Sequence, residues 1–322
     1  MMTGARERVR IIAIAAVAIL LIISFVLIAV WEAQHSDFTD SSKWEMAEYV
    51  EHGGAYYRRR TDVNAVLLMG VDQFSADVTP GAYNNEQCAD FLVLAVFDHA
   101  AQRTTLLQIS RDTMAEVTIL GIGGKKTGTV RQQIALSHTY GTGENDSCRN
   151  TVRAVSALFY NLPVEHYVCL TMDAVAIVND AVGGVTVTVE EDLTALDPAF
   201  VPGATVCLSG EQALLYVHGR EGLEDSTNAS RMGRQKQYIA ALAEMAGEIG
   251  ISAADAAAEL ADCMHSNYSS SELERAYDTL LSYEHGDILD IKGSYSVGEY
   301  MEFTPDEDAL KAQLLSLFYK KI

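Results

Sequence analysis

Proline is scarce in this 322-residue chain, with five, and no repeated block or low-complexity tract occurs. Collagenous, mucin-like and solenoid architectures are thereby excluded. Basic residues are also short, 23 against 44 acidic ones, for a net charge of -21. Affinity for a duplex phosphate backbone needs many Lys and Arg to displace counterions, so nucleic acid is not expected as a partner. Five cysteines occur without close C-x-x-C spacing, and neither H-E-x-x-H nor G-x-S-x-G is present. Zinc-site and serine-hydrolase readings drop away. The Gly-rich segment at Gly121 fails as a phosphate loop. Ile119 stands where the first Gly belongs and Lys126 follows Lys125 where Ser or Thr is required, so a surface loop is the reading. What the chain does have is 49% hydrophobic residues, enough to build a sizeable core.

Arg6, Arg8 and Arg10 precede an uninterrupted apolar run from Ile11 to Trp31, in which Ser24 is the one polar residue. At about 1.5 Å per residue such a run covers the roughly 30 Å hydrocarbon layer. A cleaved signal has a shorter apolar region followed by a small-x-small site, which Val30-Trp31-Glu32-Ala33 does not supply. The expectation is a cytoplasmic segment 1–10, a transmembrane helix 11–31 and everything else outside, with the basic flank inside. In that oxidising space disulfides can form, and an odd count leaves one cysteine over.

Residues 32–61 are mixed and polar and read as a stalk or short helix. Val63 to Val71 is a buried strand that delivers Asp72 at its carboxyl edge. Phe91 to Phe97 and Thr104 to Ile109 are two more, joined by a link short enough for an antiparallel hairpin. That hairpin puts Asp90 beside Arg111 and Asp112. Downstream come a helix through Val155, a strand from His166 to Thr171, a helix from Asp173 to Ala181, and a strand from Val185 to Val189. Ser209 to Gln212 is a capping box opening a short helix toward Val217. A polar loop from Gly219 to Thr227 leads into a long helix carrying Arg231, Arg234 and Gln235. Two further helices, one starting at Ser269, precede a strand-like stretch from Ile288 to Val297, and Thr304-Pro305 opens a last helix. The expected fold is α/β, an α+β-type single domain with a central mixed sheet flanked by helices and preceded by one transmembrane helix. Its catalytic part spans 62–250, with a C-terminal extension 251–322 packing on the same domain.

Charges at element ends are the chemistry that is left: Asp72, Asp90, Arg111 with Asp112, Arg220, and Arg231 with Arg234 and Gln235. Arginines gathered at the edge of a buried sheet suit bidentate recognition of phosphate oxygens. Carboxylates beside them repel a phosphate unless a divalent cation lies between, and Mg²⁺ takes one or two carboxylates together with phosphate oxygens. The alternative is that Arg111 with Asp112, and Arg220 with Asp225, simply pair and hold loops.

The blocks VLLMGVD, ADFLVLAVFD, TLLQISRDTM, HTYG, VNDAVGGVTVTV, LSGEQALLYVHGRE and DSTNASRMGRQKQY, in this order, resemble the LytR-CpsA-Psr family of bacterial envelope proteins over about 62–250. The resemblance implies a membrane-anchored, single-pass phosphotransferase of a Gram-positive envelope. Such an enzyme moves an anionic glycopolymer from a polyprenyl-pyrophosphate carrier to a peptidoglycan hydroxyl, with pyrophosphatase as a side activity. By the same resemblance Asp72 and Asp90 hold Mg²⁺ or poise the hydroxyl, and Arg111 is catalytic and grips the pyrophosphate together with Arg220, Arg231, Arg234 and Gln235. Cys88, Gln133 and His218 depart from the basic residues that many members place there. His218 itself reads as a surface or helix-end histidine, and a bond from Cys88 to Cys148 would tie the loop before Asp90 to the helix through Val155. A weakened polyprenyl-phosphate-binding or scaffold protein, and a transcriptional attenuator, stay open as alternatives.

Overall fold

A computed structural model describes residues 38–40, 45–74, 87–121, 124–141, 145–249, 252–298 and 300–322. The segments expected at 1–10 and 11–31 lie outside the described residues. Within those residues no helix is long and apolar enough to cross a membrane. The chain divides into two compact units, Met1–Arg59 with Tyr319–Ile322, and Arg60–Phe318.

The smaller unit is a four-stranded sheet of β1 (Phe38–Asp40), β2 (Tyr49–His52), β3 (Ala55–Arg59) and β16 (Tyr319–Lys321), in that order. Here the stalk or short helix expected at 32–61 is corrected. Gly53 and Gly54, at φ of 59° and 73°, make the two-residue turn that only residues tolerant of positive φ permit, so β2 and β3 form a hairpin. Antiparallel pairing of β16 with β3 places the last residues of the chain in this unit.

The larger unit is mixed α/β, built on a six-stranded sheet. Its strands run β12 (Met264–Ser266), β9 (His166–Thr171), β4 (Val63–Val71), β5 (Ala89–Asp98), β6 (Arg103–Gln108) and β13 (Glu284–Asp290). β9 lies parallel to β4 and β13 parallel to β6, while the other three pairings are antiparallel. The near-continuous apolar runs of β4 and β5 follow from burial on both faces: Leu67, Met69, Leu92, Val93 and Leu94 are all essentially inaccessible. Gly70 is required where β5 comes closest, since a Cβ there would stand 2.9 Å from that of Phe91. Just beyond it the β4–β5 register shifts, and Val71 pairs with Ala89.

Seven α-helices occur among the described residues: α1 (Asn145–Leu158), α2 (Asp173–Ala181), α3 (Gly210–His218), α4 (Asn228–Ile249), α5 (Ala253–Glu259), α6 (Ser270–Ser282) and α7 (Glu307–Phe318). The capping box of α3 forms as its sequence requires, with Ser209 Oγ accepting from Gln212 N and Gln212 Oε1 accepting from Ser209 N, both at 3.2 Å. The cap of α7 is corrected from Thr304 to Asp306, whose Oδ1 accepts from the backbone N–H groups of Asp308 and Ala309. Thr304 and Pro305 instead end a strand.

Three two-stranded ribbons complete the unit. β7 (Met114–Leu120) pairs with β8 (Lys126–Gln133), β10 (Thr186–Thr188) with β11 (Thr205–Cys207), and β14 (Gly293–Val297) with β15 (Met301–Pro305). The strand expected over Ile288 to Val297 is thus two strands. It breaks at Ile291 and Lys292, and Gly293 opens β14 where a Cβ would collide with the Thr304 carbonyl and the Phe303 ring. A second core packs under α2, α3 and α4 from Val185, Val187, Phe200, Tyr216 and Tyr238.

Candidate active site

The β4–β5 register brings the two carboxylates together: Asp72 follows the last residue of β4, and Asp90 is the second residue of β5. At the same sheet edge the chain leaves β6 through Ile109 into Ser110-Arg111-Asp112. Three successive carbonyls there are tied down, with Ala135 N donating to Arg111 O, Phe303 N to Asp112 O and Ile134 N to Thr113 O. A short 3-10 turn (Ile134–Ser137) and β15 thus fix the backbone that carries Arg111.

Asp90 is the hub. One of its oxygens accepts from Arg111 Nη1 in a short ion pair, and the other accepts from Arg231 Nη1 at 3.1 Å. His218 Nε2 stands 3.8 Å from Asp90 Oδ2 and 3.6 Å from Asp72 Oδ1. The helix-end position read for His218 is correct, since it is the last residue of α3, but its imidazole reaches inward to both carboxylates rather than lying free on the surface. Burial alone would raise the Asp90 carboxyl; His218, Arg111 and Arg231 outweigh it and hold the group down at about 2. At Asp72 burial wins, helped by the negative charge of Asp90, and pushes that carboxyl up. Asp72 Oδ1 is buried with no hydrogen-bond partner among the described residues.

The arginines divide into two sets. Arg231 is fully buried on α4, with Nη2 donating to Asn228 Oδ1 at 2.8 Å one turn earlier. Asn228 in turn donates to Ser110 Oγ, which also accepts from Tyr295 of β14. Burial lowers the Arg231 guanidinium, and it raises Asp112, which lies 3.8 Å from Arg111 Nε and accepts from Gln133 Nε2 at 3.2 Å. Arg220 is exposed after α3 and makes no ion pair among the described residues, Asp225 included; its charge is felt at Asp112 and Arg231. Arg234 turns aside: its Nη2 donates to Gly219 O and its Nε lies 3.6 Å from Glu191, with Nε and Nη1 lacking hydrogen-bond partners. Gln235 lies beneath the site, accepting from Gln108 and donating to Val217 O, and so braces α4 against β6 and α3. Asn228, Ser110 and Tyr295 carried no motif of their own. The three-residue spacing of Asn228 and Arg231 on one helix is the signal for that pair.

The disulfide considered between Cys88 and Cys148 is not formed. Cys148 is a free thiol in the interior beside His138, and burial pushes the Cys88 thiol up to about 11.

Two apolar cavities lie in the same unit. The inner, of about 160 Å³, is lined by Gly70, Phe91, Val217 and Gln235, sequence neighbours of Asp72, Asp90, His218 and Arg234. It shares Leu170 and Val178 with an outer one of about 360 Å³ between the sheet and α2, α4, α5 and α6, lined by Val66, Phe97, Ile177, Leu242, Ala256 and Leu280 among others. Val155, on α1, is in the closed core instead.

The fold and the site thus define a mixed α/β protein whose sheet edge gathers arginines and carboxylates. The model of the LytR_cpsA_psr family matches residues 29–315, and the chain belongs to that family. It is 26% identical over 212 residues to the Halalkalibacterium halodurans protein named polyisoprenyl-teichoic acid–peptidoglycan teichoic acid transferase TagU, covering 63% of this chain and 62% of that one. Biofilm regulatory protein A of Streptococcus mutans is 27% identical over 183 residues, 54% of this chain and 42% of its own. The chain spans about half the length of the curated relatives it matches. The fold is that of TagT bound to LI-WTA, at TM-score 0.61 and 21% identity over 80% of this chain and 90% of that one.

Proposed function

We propose that this protein is an extracytoplasmic phosphotransferase, anchored by residues 11–31, that moves an anionic glycopolymer from a polyprenyl-pyrophosphate carrier to a peptidoglycan hydroxyl. One observation carries the reading: Asp90, clamped by Arg111, Arg231 and His218, sits with Asp72 among the sequence neighbours of residues that line an apolar cavity. The relatives' printed names, teichoic acid transferase among them, support the same class.

Arg111 presents its fork to the diphosphate, Arg231, buried behind Asp90, adds its charge from beneath, and Arg220, unpaired at the rim, closes on it from the solvent side. Arg234 holds the Gly219 carbonyl and so sets the direction in which Arg220 leaves α3. Gln235 positions rather than contacts, by bracing α4. The cavity lined by Gly70 and Val178 takes the polyprenyl chain, whose burial is favourable by about 25 cal/mol per Å². Asp72 is placed to accept the proton of the attacking hydroxyl, and the raised affinity of its buried carboxyl for protons suits that role.

Mg²⁺ fits these residues. Asp72 Oδ1 is a buried carboxylate oxygen without a donor, within 4.8 Å of an Asp90 oxygen and His218 Nε2, and the two carboxylates are the hard donors that this ion prefers. Bound at Asp72 and Asp90, it would neutralise charge on the diphosphate.

The test is transfer by the purified full chain from a polyprenyl-diphosphate-linked oligosaccharide to peptidoglycan, with products identified by mass spectrometry. Transfer should require Mg²⁺ and be lost in Asp72→Ala and Arg111→Ala. Unchanged turnover in both variants refutes the assignment, and tight binding of the lipid without turnover identifies a scaffold instead.

A further inference from the structure

Three side chains that the proposed reaction leaves unused converge in the interior: His138 after the 3-10 turn, Cys148 in α1 and Cys169 in β9. Each is completely buried. Cys148 Sγ lies 3.6 Å and Cys169 Sγ 3.9 Å from the same ring nitrogen, His138 Nε2, and the three atoms all lie within 4.8 Å of one another. The other ring nitrogen, Nδ1, is 3.0 Å from the Gln87 carbonyl. A carbonyl only accepts, so Nδ1 donates and Nε2 turns its lone pair toward the sulfurs.

Two sulfurs and an unprotonated imidazole nitrogen around one point are the donor set of a thiophilic metal, and a histidine anchored through its far nitrogen to a carbonyl is how such ligands are oriented. The spacing agrees. Zinc–sulfur bonds of about 2.3 Å and zinc–nitrogen bonds of about 2.0 Å at tetrahedral angles separate nitrogen from sulfur by about 3.6 Å and sulfur from sulfur by about 3.8 Å. The two nitrogen–sulfur separations, 3.6 and 3.9 Å, are close to this value, and the sulfurs lie within 4.8 Å of one another. Charge selects the ion: two thiolates and Zn²⁺ sum to zero, whereas Cu⁺ would leave a net negative charge in a site without water access.

We propose that His138, Cys148 and Cys169 bind one structural Zn²⁺. Binding releases the two thiol protons and ties the turn after β8 and the first turns of α1 to β9, the parallel neighbour of the strand that ends at Asp72. His265, opposite Cys169 in the β12–β9 register, packs its ring on Phe74 with centroids 3.9 Å apart and lies outside this group of donors, which leaves the fourth position to water or a rotated His265. No short sequence motif announces this set, because 31 residues separate His138 from Cys169 and the fold alone brings them together.

The full chain, produced in zinc-supplemented medium and purified without chelators or reductants, should carry one zinc per chain by inductively coupled plasma mass spectrometry. Exchange with Co²⁺ should give the near-ultraviolet sulfur-to-cobalt band and the intense visible bands of a tetrahedral thiolate site. Cys148→Ser combined with Cys169→Ser should abolish both, while Cys263→Ser keeps them. Because the double variant alters the core, the wild-type cobalt spectrum and a rise in Tm on adding zinc decide the matter without it. A folded wild-type protein that binds no zinc, zinc content unchanged in the double variant, or a Cys148–Cys169 disulfide in non-reducing peptide maps would each overturn the proposal. None of these outcomes depends on the phosphotransferase reading.

Discussion

Replacing Asp90 with Asn keeps the size of the side chain and one acceptor oxygen but deletes the charge that Arg111 and Arg231 share. Arg111 is partly compensated, because Asp112 lies 3.8 Å from its Nε and water reaches 16% of its side chain. Arg231 has neither relief: its side chain is wholly inaccessible, its Nε already lacks a hydrogen-bond partner, and Asn228 is neutral. Leaving one member of a buried pair uncompensated costs about 3–5 kcal/mol, a large part of a total stability of about 5–15 kcal/mol. At about 2–4 °C per kcal/mol for a domain of this size, Tm should fall by roughly 6–20 °C. Urea denaturation should show a lower midpoint at an unchanged slope. Two further arms tie the loss to charge. Arg231→Met on the Asp90→Asn background should recover much of the stability, because the apolar stem still fills the space. Inorganic pyrophosphate should stabilise Asp90→Asn more than the wild type by replacing the missing negative charge, with about 2.7 kcal/mol available at a hundredfold excess over Kd. A loss below about 1 kcal/mol, the size of an exposed ion pair, would refute the hub.

Asp72→Asn should abolish transfer yet raise the urea midpoint at neutral pH without Mg²⁺, since the folded state raises this carboxyl and its ionisation above that value costs stability. Arg60 binds Asp98 through both terminal nitrogens and also Asp62, holding both carboxyls below their ordinary value of 3.8. That contribution is complete above the unfolded value and is lost as pH falls through the depressed folded ones, so wild type and Arg60→Gln should differ in urea midpoint at pH 7 and converge in strong acid. Val178→Trp, where the two cavities join, should raise KM for a long polyprenyl diphosphate substrate while leaving a short-chain analogue unaffected. His218→Arg should lower the Mg²⁺ concentration at half-maximal transfer, read from a metal titration at fixed substrate.

The carboxylate edge was legible because it rests on short-range rules. An apolar run ending in Asp72 and a hairpin with a four-residue link leave little freedom in where Asp90 and Arg111 fall. His218 was not legible, since a polar residue at a helix end reads as solvated until the packing of α3 shows which way it faces. Gln235 lies four residues after Arg231 on the same face of the long helix, but its amide is taken up by Gln108 and the Val217 carbonyl, pairings that the sequence does not reveal. β8 escaped and β14 was merged into a longer strand because neither carries a buried face: every residue of β14 is exposed, and β8 alternates only between exposed and half-buried positions. The 49–59 hairpin announced itself in Gly53-Gly54, and the polar residues on either side hid it.

Under the proposed function, the site's charge balance gives a reason for a cation to accompany the diphosphate. Asp72, Asp90 and Asp112 face Arg111, Arg231 and Arg220, so the fixed charges cancel before any ligand arrives. A diphosphate would then enter a site of no net attraction inside a chain of net charge -21. Arginine at 218 would tip the balance to positive; histidine, unlike arginine, brings no permanent charge. Gln133, bonded to Asp112 and to the Met301 carbonyl, likewise contributes dipole rather than charge. The missing positive charge has to come with the substrate, and a divalent ion between Asp72 and the phosphates is the form in which it can, which is why the metal requirement should be steeper here than in a site with arginine at 218.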